Sequence, residues 1–252
     1  MADPKVLAIL ADVLRDEASG TGRPLPMLLC RTAARDLAVH GAGLWIVTGD
    51  GVQQLVAATD GLARSLEELQ FTTGEGPCLD AYTARRPVLQ PDLAAQPRWP
   101  VFGPAALAAG AAAVFSFPLA VGDIRVGVLD LYRTVPGDLS PSDTTDALAF
   151  ADAATILLLY LQQRSGPELN PELELAWTGH NEVHQATGMV AVQAGVSLAQ
   201  ALLLMRARAY AEDRSIGAVA DDILGRTLRF DTLEQTDDEQ DPRNPPEEEA
   251  PS

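Results

Sequence analysis

The chain has 252 residues, 47% of them apolar, and a formal charge of −17. That length and apolar fraction suit two packed domains and a tail, and they exclude a chain disordered throughout. Eighteen basic residues against 35 acidic ones are an awkward balance for a nucleic-acid binder, because phosphate contacts need a basic surface. The acid is unevenly spread, however. Residues 231–252 hold nine carboxylates and one arginine, whereas residues 180–230 hold five acids and five arginines. The two cysteines, Cys30 and Cys78, are too few for a disulfide framework and fit a reducing compartment.

Residues 1–24 are read as an N-terminal helix and its break. Val6, Leu7, Leu10 and Leu14 stripe a helix over 4–16, and Ser19, Gly20, Gly22 and Pro24 end it. Asp3, Asp12, Arg15 and Asp16 interrupt the apolar run, so no secretory leader is expected. Nor does any stretch of about eighteen apolar residues lack charges, so no membrane span is expected and the predicted location is cytoplasmic.

A second unit spans 25–164. Its first helix, 25–40, places Leu28, Leu29, Ala33 and Leu37 on one face, with Cys30 among them as a small buried hydrophobe. Two strands, 44–47 and 53–58, flank the hairpin signal Asp50-Gly51, and an extended piece is read at 69–72. Pro77 suits the first turn of a helix over 77–85. A short strand at 87–90, an irregular loop at 91–100 and a helix over 101–109 follow. Two longer strands, 112–119 and 124–132, turn at Gly122 and Asp123. A long helix, 141–164, closes the unit with Leu148, Ala151, Thr155, Leu158 and Leu159 on one side. This order is α+β, with no βαβ alternation.

The GEGPCLDAY run at 74–82, PDL at 91–93, WP at 99–100, FPL at 117–119 and GVLDLY at 127–132 resemble GAF domains, and most of all those that precede ANTAR domains. The resemblance implies an antiparallel sheet with flanking helices and a sensory role.

A helical connector, 165–179, carries Leu169, Leu173 and Trp177 at steps of four. The next unit, 180–230, reads as three short helices. Val183, Ala186, Val190 and Ala194 stripe the first, and Gly195 stops it. Ser197 and Gln200 have capping-box spacing ahead of Leu198, Ala201, Leu202, Met205 and Ala209. Ser215 caps a third helix striped by Ile216, Val219, Ala220, Ile223 and Leu224. Helices this short must bury their stripes against one another, which makes a three-helix bundle. The acidic, proline-rich residues 231–252 are expected to be disordered.

HQATGMV at 184–190, with Ser197, Ala201, Met205, Arg206, Ala209, Ile216, Val219, Ala220 and Ile223, resembles the ANTAR domain in residue type and spacing. The chain is thus expected to be a GAF and ANTAR regulator of transcription antitermination. It would bind paired stem-loops in leader RNA as a homodimer joined through 141–164 and the connector. Thr187 stands where many members carry lysine.

The candidate RNA contacts are Gln185, Thr187, Gly188, Arg206, Arg208, Tyr210 and Arg214. Arginine suits phosphates and loop bases because its planar fork bonds bidentately and stacks. Gln185 and Thr187 would read base edges or sugar hydroxyls, and Tyr210 is either a stacking platform or core. Each competes with a plain solvated-surface role.

The candidate ligand residues of the sensory unit are Glu75, Cys78, Asp92, Trp99 and Phe102. Glu75 and Asp92 either line a cavity or bond loop backbone. Trp99 and Phe102 read as core before pocket, and Cys78 is either packed or a thiolate at a helix N-terminus. The ligand itself, a small molecule or a protein signal, is not legible.

His40, His180 and His184 lack metal-ligand spacing, and neither a phosphate loop nor a Ser/His/Asp constellation stands out. No cofactor, metal or catalytic residue is expected. The alternatives are a DNA-binding regulator, a protein-interaction module, and a methionine sulfoxide reductase of GAF type using Cys78.

Overall fold

The computed structural model describes residues 3–20, 22–47, 53–95, 98–165, 181–212 and 214–230. The predicted connector and the predicted acidic tail lie outside these residues, as do His180 and the hairpin turn at Asp50-Gly51.

Five strands form one antiparallel sheet: β1 (Gly41–Val47), β2 (Gln53–Ala58), β3 (Val88–Gln90), β4 (Ala113–Val121) and β5 (Ile124–Arg133). Their spatial order is β2-β1-β5-β4-β3. The central strand β5 is paired on both sides, Leu44 opposite Leu129 and Phe117 opposite Leu129. Both of its faces are covered, so its side chains alternate between two cores.

The first core lies beneath α1 (Pro4–Ala18), α2 (Leu25–Asp36) and α6 (Pro141–Ser165). Leu29, Phe115, Phe117, Leu129, Leu131, Phe150 and Leu161 meet there, and Cys30 is buried among them. Each such large side chain contributes about 1.5–3 kcal/mol on burial. The α6 helix has the length and apolar character of a membrane span over Pro141–Gln163, with mean hydropathy 1.4, yet more than half of that stretch is buried inside the fold.

The opposite face carries α3 (Gly61–Thr73), α4 (Pro77–Ala84) and α5 (Phe102–Ala108). Here the structure corrects the sequence reading, because residues 69–72 are helical and not extended. Asp60 caps α3 by accepting from the Ala63 N–H at 2.8 Å. Glu67 and Gln70 lie on its buried side, and these polar residues break the apolar stripe that would reveal the helix.

Three further helices, α7 (Asn181–Ala194), α8 (Leu198–Ala211) and α9 (Ile216–Leu224), pack on one another. The Ser197–Gln200 capping box is formed, and Ser215 accepts from the Ala218 N–H at 3.1 Å. Val183, Ala186, Val190, Ala201, Met205, Ala209, Ile216, Val219, Ala220 and Ile223 are all buried in the bundle. Their core is continuous with the one beneath α3.

Candidate functional site

The sheet face under α3 holds a buried polar network. Alternation along β5 sends Val128, Asp130 and Tyr132 to this face, and alternation along β4 adds Val114 and Ser116. From above, α3 lowers Glu67 and Gln70 onto them. Gly43 on β1 leaves the space, because a Cβ there would overlap the Glu67 carboxylate.

Glu67 accepts from the Trp45 indole N–H, and from the Tyr132 hydroxyl at 2.8 Å. Asp130 accepts from the Ser116 hydroxyl. The Gln70 amide donates to Asp130 Oδ2 at 3.3 Å and to the Tyr132 oxygen at 3.2 Å. Its carbonyl accepts from the Cys78 backbone N–H at 2.8 Å. All five polar side chains are buried.

Two carboxyls in one dry site do not both ionise. Burial, then the charge of Asp130, push Glu67 well above the usual carboxylate range, so Glu67 carries the proton. Asp130 is also raised by burial, to about 6, and the hydrogen bonds from Ser116, Cys78 and Gln70 hold it lower than its partner. Burial and the two acids raise the Cys78 thiol and the Tyr132 phenol well above their ordinary values. Cys78 is therefore a protonated donor in this network and not a helix-terminus thiolate.

Beside the network lies a small pocket of about 10 Å³, lined by Trp45, Val47, Gln70, Phe71, Cys78, Leu79, Tyr82 and Val128. Phe71 stacks on Trp45 across it, ring centroids 5.9 Å apart and 20° between planes.

Of the five predicted ligand residues, only Cys78 lines this pocket. Glu75 instead caps α5, its carboxylate accepting from the Val101 and Phe102 N–H groups at 2.6 and 2.8 Å. Asp92 turns its loop by accepting from the Ala94 N–H at 2.9 Å. Trp99 donates to Asp80 at 3.1 Å and meets Phe102 edge-on at 6.0 Å, and both rings are buried. Among the two readings kept for Glu75 and Asp92, these contacts are backbone bonding. Glu67, Gln70, Ser116, Asp130 and Tyr132 went unread in the sequence. The available signal was an acid at an inward position of a strand buried on both faces, in GVLDLY.

The predicted RNA contacts divide. Gln185 and Gly188 line an open groove of about 550 Å³ with Met189, Val192, Gln193 and Leu224. Val192 is 85% exposed there, and Tyr210 on α8 is 77% exposed, which removes the core reading for Tyr210. Thr187 is corrected: it is buried, and its hydroxyl donates to the Val183 carbonyl at 2.7 Å and to Met205 Sδ at 3.4 Å. Arg208 pairs with Glu212 at 2.6 Å. Arg214 pairs with Glu212 at 3.1 Å and with Asp222 at 2.6 Å. Arg206 is half-buried and donates to the Phe71 carbonyl of α3 at 2.8 Å. Among the described residues, no group of three or more His, Cys, Asp or Glu side chains comes together as a metal site.

The family described as GAF domain matches residues 28–159, just over half of the chain. Among solved structures, the GAF domain from an Acinetobacter phosphoenolpyruvate-protein phosphotransferase is 12% identical, with a TM-score of 0.49 over 65% of this chain and 98% of that one. The corresponding domain from Coxiella burnetii is 16% identical, with a TM-score of 0.48 over 64% of this chain and 96% of that one. A type II free methionine-R-sulfoxide reductase from Thermoplasma acidophilum is 15% identical, with a TM-score of 0.42 over 53% of this chain and 89% of that one. No curated protein matches the sequence.

Proposed function

The chain belongs to the GAF domain family, and from that premise we propose that it is a signal-responsive RNA-binding regulator. Its GAF unit senses a signal, and α7–α9 act as an ANTAR output that binds paired stem-loops in leader RNA and prevents termination. The observation that carries this reading is the bundle. Most of the small and apolar positions through which 184–223 resembles ANTAR domains are buried, among them Ala186, Val190, Ala201, Met205, Ala209, Ile216, Val219, Ala220 and Ile223. Exposed side chains on it, Gln185, Val192 and Tyr210 among them, suit unstacked loop bases, which is where RNA sequence is readable.

Two hairpins call for two bundles, so the working form is a homodimer. The outer side of α6 supports it: Leu148, Ile156 and Tyr160 are each more than 40% exposed on a helix otherwise packed inward. A leader transcript as partner places the proposed site of action in the cytoplasm. The reaction class is binding without catalysis. The reductase alternative is disfavoured by the burial that keeps the Cys78 thiol protonated, and by Cys30 lying in the core on the other face of the sheet.

The test is a gel-shift titration of the dimeric protein with an RNA carrying two short hairpins, against duplex DNA of equal length. RNA binding that weakens in Tyr210→Ala and Gln185→Ala supports the proposal. Preference for the duplex moves the reading to a DNA-binding regulator, and no binding of either sinks both.

A further inference from the structure

Arg206 sits where the two units meet. Its Nε–H donates to the Phe71 carbonyl at 2.8 Å, and its guanidinium lies 5.4 Å from the centroid of the Phe71 ring. Because α3 ends at Thr73, that carbonyl is one of the last four that the helix leaves without an internal partner. Its neighbours are served locally: Gln70 O accepts from the Gly74 N–H at 3.0 Å, and Leu69 O from the Thr73 hydroxyl at 2.8 Å. Arg206 completes this C-terminal cap from another unit, and its charge meets the negative end of the α3 dipole. Gly74 admits it. Gly74 is left-handed at φ +68°, and a Cβ there would stand 2.9 Å from Arg206 Nη1.

The same phenylalanine walls the sensory pocket on its other side, stacked on Trp45, and its edge meets His184 of α7 at 6.0 Å. A pocket of about 10 Å³ admits nothing larger than a water unless a wall moves. The docked arginine is also incompletely served: Nη2 is buried with no hydrogen-bond partner, and burial lowers its pKa to about 10. A desolvated charge with an orphan donor is costly, which weakens the docked state.

We propose that Arg206 and Phe71 form a latch. While Arg206 is seated on α3 it is withheld from RNA, and entry of a ligand into the Trp45–Phe71–Cys78 pocket moves Phe71 and releases the bundle. The proposal rests on reading α7–α9 as the RNA-binding unit. A ligand shifts the balance only through its different affinity for the two states, and displacement of Phe71 supplies that difference.

The experiment uses the full chain, the two-hairpin RNA as probe, and amide exchange of α3 and α8 as an RNA-independent readout of docking. Gly74→Asn keeps a residue that tolerates the left-handed conformation but puts a Cβ against Arg206. Cys78→Leu fills the pocket from within. Both should speed exchange in the last turn of α3 and in α8. Both should also tighten RNA binding about tenfold, the gain expected if one molecule in ten is undocked at rest. Faster exchange with unchanged RNA affinity overturns the latch and leaves the RNA reading standing. A gain in Gly74→Asn but not in Cys78→Leu overturns the coupling to the pocket. No RNA binding by any form overturns the RNA reading and the latch with it. Should Gly74→Asn fail to fold, Phe71→Leu, which removes the ring under the guanidinium, supplies the same comparison.

Discussion

Replacing Glu67 by Gln removes the proton that the buried acid pair holds at neutral pH. Glu67 is raised by burial and by the Asp130 charge, and a carboxyl raised on folding binds more protons folded than unfolded. Its stabilising contribution is therefore whole below the unfolded value and lost as pH rises through the folded one. Asp130, raised to about 6, is ionised in both states above about pH 7, so Glu67 alone carries the linkage there. While Glu67 stays protonated in the fold, one proton of difference is worth about 1.4 kcal/mol per pH unit, so wild-type stability falls as pH rises above about 7 until the folded-state carboxyl ionises. Gln keeps the shape and cannot ionise, so that slope disappears. The substitution also has a pH-independent cost. The Trp45 N–H and the Tyr132 O–H both donate to the carboxyl, whereas an amide offers one oxygen. The orphaned donor costs about 1–3 kcal/mol. Urea unfolding followed by tryptophan fluorescence across this pH range should show the variant weaker at low pH, with the two curves converging as pH rises. Parallel curves would refute the assignment of the proton to Glu67.

Gly43→Ala drives a methyl into the Glu67 carboxylate and should lower stability by about 1–3 kcal/mol, read as a shift in urea midpoint with unchanged m-value. Glu75→Ala removes the acceptor of two N–H groups at the start of α5 and should cost about 1–2 kcal/mol, without altering RNA binding. Ile156→Arg places a charge on the exposed side of α6 and should convert the proposed dimer to monomer in light scattering while moving stability by under about 0.5 kcal/mol. RNA affinity should fall with it by about a hundredfold, the scale of lost bivalency.

Much of the frame is visible in the residues themselves. The long strands β4 and β5 announce themselves by apolar runs bounded by Gly122 and Asp123, and α8 by its capping box. The α3 helix does not. Its inward positions include Glu67 and Gln70, so the stripe that periodicity seeks is broken by the residues that build the site. Ser116, Asp130 and Tyr132 meet those two only because β4 pairs with β5 and α3 crosses above both, which are long-range facts with no local signature. Glu75 shows the reverse case. An acid in a glycine-rich loop invites a ligand role, yet its carboxylate is taken by the N–H groups of Val101 and Phe102, some 26 residues on.

The same distinction governs the bundle. Residue type identifies Arg206, Arg208 and Arg214 as cations suited to RNA, but a cation acts on phosphate only when nothing nearer holds it. Glu212 and Asp222 engage two of the three, and the α3 carbonyl engages the third. These engagements differ in kind. The ion pairs of Arg208 and Arg214 are solvent-exposed and worth little, so phosphate competes with them on nearly equal terms. The Arg206 contact is partly buried and joins α8 to α3, so in the proposed RNA complex phosphate would gain that arginine only after the two separate. A bundle with five arginines and five acids between 180 and 230 then gains usable charge in one step, at the residue that the sensory unit holds. Signal control of RNA affinity needs no new surface on this view. It needs only that Phe71 give way.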